Sequence, residues 1–186
     1  MAEHTPKKYS VFQITLNLTA ACFISGAIIA GTYFFTAPIA AQKAIETQNN
    51  TMKAMVQNAD GFKVISGKTG WYAATKDGKL IAYVIPGETK GYGGTIKMLV
   101  AVSTDGKVID YEILTSNETP GLGDNASKEP FKKQFQGKTS DELVVTKDPS
   151  NTKNIQAMTG ATISSRAVTK GVKESVDEVV QFAGGK

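Results

Sequence analysis

A chain of 186 residues, 41% hydrophobic and 20% charged, can hold one ordinary domain plus a tail or anchor. One His and one Cys are too few for a usual Cys/His zinc site, a Cys-ligated iron–sulfur cluster or an internal disulfide, and a Cys-His or Ser-His-Asp arrangement would have to draw on His4 beside the amino terminus. The formal charge of +4 and pI near 9.0 are mild and argue for neither nucleic acid nor a membrane surface.

The apolar residues are segregated. No charged side chain occurs from Tyr9 to Gln42, and Val11 to Ala37 is predominantly apolar. About 20 such residues suffice to cross a bilayer as a helix. Ala40 and Ala41 supply the small residues of a signal-peptide cleavage site, but signal cores run only ~7–15 residues, so the segment reads as an uncleaved anchor. Gln13, Thr15, Asn17 and Thr19 make its first turns less apolar, which suits either a facing membrane subunit or the interface. Lys7 and Lys8 precede the span and only Lys43 follows closely. That bias keeps a short tail in the cytoplasm and sends the rest of the chain across. Cys22 lies within the span, leaving the exported part without a thiol.

Pro38 is expected to end or kink the span. Ala41 to Ala59 then reads as a polar helix with a thin apolar stripe of Ala44, Met52, Met55 and Val56, a stalk packed on the domain. Two strand–turn–strand units follow. Asp77-Gly78 lies between Trp71–Thr75 and Leu80–Ile85, and Asp105-Gly106 between Ile96–Val102 and Val108–Leu114. Asp-Gly between β-rich runs signals a hairpin, because both residues tolerate positive φ. From Ser164, Val168, Val172, Val176, Val179, Val180 and Ala183 recur at helical spacing, with Ser164 or Ser165 as cap and Gly184-Gly185 as stop. The fold class is α+β: one N-terminal transmembrane helix, then an exported domain of antiparallel hairpins packed with helices. The boundaries are 1–10 for the tail, 11–37 for the span, 38–60 for the juxtamembrane helix and 61–186 for the exported domain.

Three loops stand out. Gly91-Tyr92-Gly93-Gly94 lets a backbone approach a flat ligand, with Tyr92 along its face, and it has equally the composition of a flexible turn. It lacks the spacing of a nucleotide phosphate loop. Glu118-Thr119-Pro120-Gly121-Leu122-Gly123 follows a strand. Thr119-Pro120-Gly121 suits a type II turn, and the loop serves either as connector or as a ligand wall anchored by Glu118. Thr159-Gly160-Ala161-Thr162-Ile163-Ser164-Ser165-Arg166 enters the last helix. It reads as a bare helix entrance or as a phosphate site, with outward amides and Arg166 one turn in.

In this order, behind one membrane span, these loops resemble the G subunit of the Rnf electron-transport complex and, more distantly, the C subunit of the sodium-pumping NADH:quinone reductase. The span and hairpins are unspecific; ETPGLG followed by TGATISS is specific. The resemblance implies an FMN-binding domain over 61–186. It also implies flavin mononucleotide carried as a phosphoester by the threonine that closes the motif, here Thr162, and attached by a separate flavin transferase that uses FAD. Thr159, Gly160, Ala161, Ser164 and Arg166 would then stand at the phosphodiester. Glu118, Thr119, Leu122, Gly123, Tyr92, Gly93 and Gly94 would surround the isoalloxazine or ribityl chain. One position departs from the pattern: an acidic residue usually stands three places before the motif, and here it is Gln156.

A flavin takes electrons singly or in pairs, so the protein need supply only attachment, position and tuning, without metal or histidine base. The expectation is a flavoprotein subunit held in a prokaryotic cytoplasmic membrane, with its amino terminus cytoplasmic and its FMN domain outside. It would relay electrons within a complex that couples ferredoxin and NAD chemistry to cation movement. The nicotinamide and ferredoxin sites would lie on other subunits, and no nucleic acid is among its partners. Two other readings remain: a flavin-bearing subunit of another respiratory system such as the quinone reductase, and a non-redox, membrane-tethered scaffold domain.

Overall fold

The computed structural model describes residues 10–184, the side chain of Ala41 excepted. The tail before Ser10, with the Lys7 and Lys8 on which the orientation rests, and Gly185 and Lys186 lie outside the described residues. The chain forms two compact units that meet in sequence between Gln48 and Asn49.

The first unit is almost entirely helix α1 (Val11–Met55), whose last turns belong to the second. It is long and apolar enough to cross a membrane. Its large side chains face outward, Phe23 at 78% and Phe34 at 76% exposed. The hydroxyls of Thr15, Ser25, Thr32 and Thr36 each donate to the carbonyl four residues back, so these polar groups find partners within the helix. Of the two outcomes expected at Pro38, an end or a kink, the helix does not end there: it runs on to Met55. Proline removes only its own amide, hence only the bond to the Phe34 carbonyl, and the neighbouring turns carry the helix on.

The second unit is a five-stranded antiparallel meander in the order β1 (Gly61–Val64), β2 (Tyr72–Lys76), β3 (Lys79–Lys90), β4 (Thr95–Ser103), β5 (Val108–Thr115). At the β2–β3 turn Asp77 and Gly78 both have positive φ, 50° and 76°, the conformation of a two-residue hairpin loop. The second Asp-Gly is different. Only Gly106 has positive φ, and the loop is longer: Ser103 N–H donates to Lys107 O and Gly106 N–H to Ser103 O.

Strand β3 runs five residues beyond its expected end at Ile85, through Pro86 and Gly87. Its ladder with β4 continues as far as Gly91 N–H donating to Gly94 O, which makes the odd positions of β3 the hydrogen-bonded ones. Pro86 therefore points its nitrogen toward the β2 side, past the last β2 pair at Tyr72↔Val84, and no ladder bond is lost.

Alternation gives the sheet two buried faces. Tyr83, Ile85, Ile96, Met98, Val100 and Val102 face helix α3 (Thr162–Gly184), where Val168, Val172, Val176 and Val179 are buried against them. Each such valine contributes about 1.5 kcal/mol. Val180, read as part of this stripe, is 50% exposed. Gly87, Gly171 and Ser175 let α3 approach β3 closely: a Cβ on Gly87 would lie 2.9 Å from Ser175 Oγ. Ala74, Ala82, Val84, Leu99 and Ala101 line the opposite face, covered by Met52, Met55 and Val56 of the stalk. Ala44 of the same expected stripe is exposed.

Between β5 and α3 come a 3-10 turn (Gly123–Ser127), helix α2 (Glu129–Lys132), two further 3-10 turns, and the short parallel pair β6 (Val145–Thr146) and β7 (Ile155–Gln156). Buried Lys132 fastens α2 to β5, with Nζ 2.6 Å from Glu112 and 3.5 Å from Asp110. Burial alone would lower the Lys132 pKa; the Glu112 and Asp110 carboxylates outweigh it and raise it. Burial pushes Asp110 above the usual carboxylate value, against the pull of Lys132. The Tyr111 hydroxyl, its pKa raised by burial, donates to Ala126 O and ties the 3-10 turn to the sheet.

Candidate functional site

The three loops meet around one carboxylate. Glu118 leaves β5 and is 7% exposed. Its Oε1 accepts the Gly93 N–H at 2.8 Å, and its Oε2 accepts the Ser164 hydroxyl. Two partners 25 and 46 residues away are thereby joined to the loop that carries Glu118. The glycines are fitted to it. A Cβ on Gly91 would overlap Glu118 Oε1, and one on Gly93 would overlap the Asn117 carbonyl. A Cβ on Gly123 would lie 2.6 Å from Ser164 Oγ and 2.8 Å from Glu118 Oε2.

The middle loop is the expected type II turn. Leu122 N–H donates to Thr119 O at 3.1 Å, Pro120 sets φ early, and Gly121 has φ 76°. Asn125 Nδ2 donates to Gly121 O and braces the tip. Leu122, 44% exposed, reaches the third loop, where a Cβ on Gly160 would lie 3.2 Å from its Cδ2. Gly160 has φ 74°, which few residues but glycine adopt. Tyr92 projects into solvent, 71% exposed, beside Gly93 and Gly94.

The third loop corrects the expected helix start. Ser165 N–H donates to Ala161 O, so α3 opens at Thr162 with buried Ala161 as the preceding cap residue, and alanine has no capping oxygen. Neither serine caps. Ser164 donates to Glu118; Ser165 Oγ accepts the Met158 N–H at 2.9 Å and donates to Ala161 O. Among the described residues the amides of Thr162, Ile163 and Ser164 have no hydrogen-bond acceptor, and the half-buried Thr162 hydroxyl has no partner. Arg166, the sole arginine of the chain, is exposed one turn along and forms no ion pair with a described residue. Thr159 is exposed. Free amides at a helix amino terminus are donors of the kind that would suit a phosphodiester, and Arg166 follows one turn along.

The motif reading did not anticipate Ser165, which holds Met158 and Ala161, or the clasp formed by Gln156. The Gln156 backbone N–H donates to Gln134 Oε1 at 2.7 Å, and its Nε2 donates to the carbonyls of Asp148 (2.6 Å) and Asn151 (2.8 Å). Beside this clasp a cleft of about 320 Å³, lined by Asn125, Lys128, Phe131, Gln134, Gln156 and Met158, adjoins the segment leading into Thr159. Neither role is signalled by a standard motif: the partners lie four to eight residues back or, for Gln134, 22 residues away.

This architecture is that of a known class of flavin-binding domain. The model for the FMN-binding domain matches residues 91–177, which include all three loops. The fold is shared with the C subunit of the Na(+)-translocating NADH-quinone reductase of Parabacteroides distasonis (TM-score 0.51, 24% identity, 61% of each chain). NqrC of Shewanella oneidensis shares it too (TM-score 0.53, 19% identity, 70% of this chain and 73% of that one). Over 177 residues the chain is 62% identical to the G subunit of the proton-translocating ferredoxin:NAD(+) oxidoreductase complex of Clostridium ljungdahlii, covering 95% of this chain and 96% of the relative. It is 32% identical to the G subunit of the Na(+)-translocating complex of Acetobacterium woodii, covering 89% and 90%. The chain belongs to the family of G subunits of Rnf-type ferredoxin:NAD(+) oxidoreductase complexes.

Proposed function

We propose that the protein carries FMN covalently on Thr162 and relays electrons within a membrane ferredoxin:NAD(+) oxidoreductase coupled to cation transport. The observation that carries this reading is the start of α3. There a threonine hydroxyl with no partner among the described residues sits on the first helical residue, with three free amides and Arg166 beside it. In the maturation step the Thr162 oxygen bonds to the FMN-side phosphorus of FAD, the pyrophosphate P–O bond breaks, AMP leaves, and the hydroxyl proton passes to solvent. The Thr162, Ile163 and Ser164 amides would hold the phosphodiester, Arg166 would balance its charge, and the Gly91–Gly94 and Glu118–Gly123 loops would line the rest of the site. When bound, the flavin supplies one- and two-electron transfer. Partners are the other subunits of the complex and, during maturation, the flavin transferase. Helix α1 anchors the chain in the cytoplasmic membrane, with the tail inside and the FMN domain outside.

The test is the denatured intact mass of the full chain co-expressed with a flavin transferase. The mass is expected to rise by one flavin mononucleotide less water, with fluorescence that survives denaturation, and the Thr162→Ala variant is expected to stay unmodified. An unmodified wild-type mass refutes covalent attachment, and a flavinylated Thr162→Ala variant refutes the site. A reporter fused after Lys186 that is active only in the cytoplasm refutes the orientation.

A further inference from the structure

We propose that Glu118 is the positioning residue for the acceptor threonine, acting through Ser164 rather than by contact with the cofactor; this rests on Thr162 being the flavin attachment site. An ionised carboxylate shut away from water is costly unless its oxygens accept hydrogen bonds. Glu118 is buried, and both its oxygens are committed to the protein, one to the Gly93 amide and one to the Ser164 hydroxyl. No charged partner neutralises it among the described ion pairs. A carboxylate accepts and never donates while ionised, so it dictates the direction of both donors. Ser164 follows Thr162 by two residues in the first turn of α3, and fixing its side chain fixes the turn that presents the Thr162 hydroxyl.

The same contact decides between hydroxyls. The segment offers three within four residues, Thr162, Ser164 and Ser165. Glu118 engages Ser164, and the Met158 amide with the Ala161 carbonyl engages Ser165. Thr162 alone is left without a partner among the described residues. Glu118 thus both orients the acceptor and withholds its neighbour. Gly91 and Gly123 leave room for the carboxylate where a side chain would overlap it.

The experiment measures steady-state flavin transfer from FAD to the full chain in detergent by the transferase, with wild type, Glu118→Gln, Ser164→Ala and the double variant. The temperature is one at which circular dichroism shows each variant folded. Gln keeps the shape of Glu118 and loses its charge; Ser164→Ala removes only the hydroxyl and carries the test alone should the Gln variant not fold. Misplacing the acceptor is expected to lower kcat for transfer by roughly ten- to a hundredfold with KM for the protein unchanged. The double variant is expected to be no slower than the slower single one. Peptide mapping of Glu118→Gln is expected to find any residual flavin spread onto Ser164. A kcat within twofold of wild type in the folded variants, or a loss confined to KM, overturns the positioning role while leaving Thr162 as the site. A wild-type chain that takes no flavin overturns the attachment reading and this inference with it.

Discussion

Restoring an acidic side chain at position 156 isolates what the departure from the transferase pattern does to the fold. Gln156 Nε2 donates to two backbone carbonyls, Asp148 O at 2.6 Å and Asn151 O at 2.8 Å. In Gln156→Glu both donors vanish, and a carboxylate oxygen faces two carbonyl oxygens. Two hydrogen bonds at ~1 kcal/mol each place the loss at about 2 kcal/mol, and partial exposure keeps it from exceeding that by much. For a domain of this size that is roughly 6–8 °C of melting temperature. The pH dependence has a definite sign. Facing carbonyls favour the protonated acid, so the folded pKa of the new Glu lies above its ordinary value of about 4.3. The penalty is complete above the folded pKa and shrinks as pH falls through it, when one donor returns. Thermal melts of the full chain in detergent at pH 7 and pH 4 read both effects. Equal melting temperatures at pH 7, or a gap that widens at pH 4, refute the clasp.

Two further outcomes follow from the packing. Gly123→Ala places a methyl 2.6 Å from Ser164 Oγ and 2.8 Å from Glu118 Cβ, so a loss of about 2 kcal/mol by chemical denaturation is expected, against ~1 kcal/mol for Gly121→Ala, where only the positive φ is strained; the reverse ranking would contradict the close fit at Glu118. Lys132→Met leaves Asp110 and half-buried Glu112 without their cation, for an expected loss of about 2 kcal/mol at pH 7, below the fully buried limit because Glu112 is partly in water. The Lys132 pKa is raised on folding, so its contribution is present below 10.5 and lost as pH climbs through the folded value. The difference between wild type and variant should also shrink in acid as Asp110, held above the usual carboxylate value, protonates, and a difference independent of pH in denaturant titrations would show that packing, not charge, is what Lys132 supplies.

Much of the architecture is written locally. An uncharged run long enough for a bilayer, an Asp-Gly pair with both residues at positive φ, and valines at helical spacing each depend only on near neighbours, and each appears where expected except Val180. The features that local patterning does not reveal depend on distant partners. Strand β1 is four residues of unremarkable composition and exists because β2 supplies its ladder. Strand β3 passes Pro86 because of which edge β2 leaves open, a matter of register. Helix α3 starts at Thr162 rather than at a serine cap because both serine hydroxyls are drawn to other groups, one of them in a different loop.

The same division explains why the site is legible as a set and not piece by piece. A Gly-Tyr-Gly-Gly string, a Pro-Gly turn and a small-residue helix entrance each serve as ordinary connectors. Their glycines look interchangeable with those of any flexible loop. In the folded chain they are not interchangeable: Gly91 and Gly123 are small because one buried carboxylate occupies the space a side chain would take, and Gly93 because the Asn117 backbone does. Gly91 and Gly93 belong to one motif, Glu118 and Gly123 to a second, and Ser164 to the third. Each of them therefore touches the network that reaches the first turn of α3. Three motifs joined through a single acceptor form one unit in space, so their joint presence in one chain carries information that the composition of each loop does not.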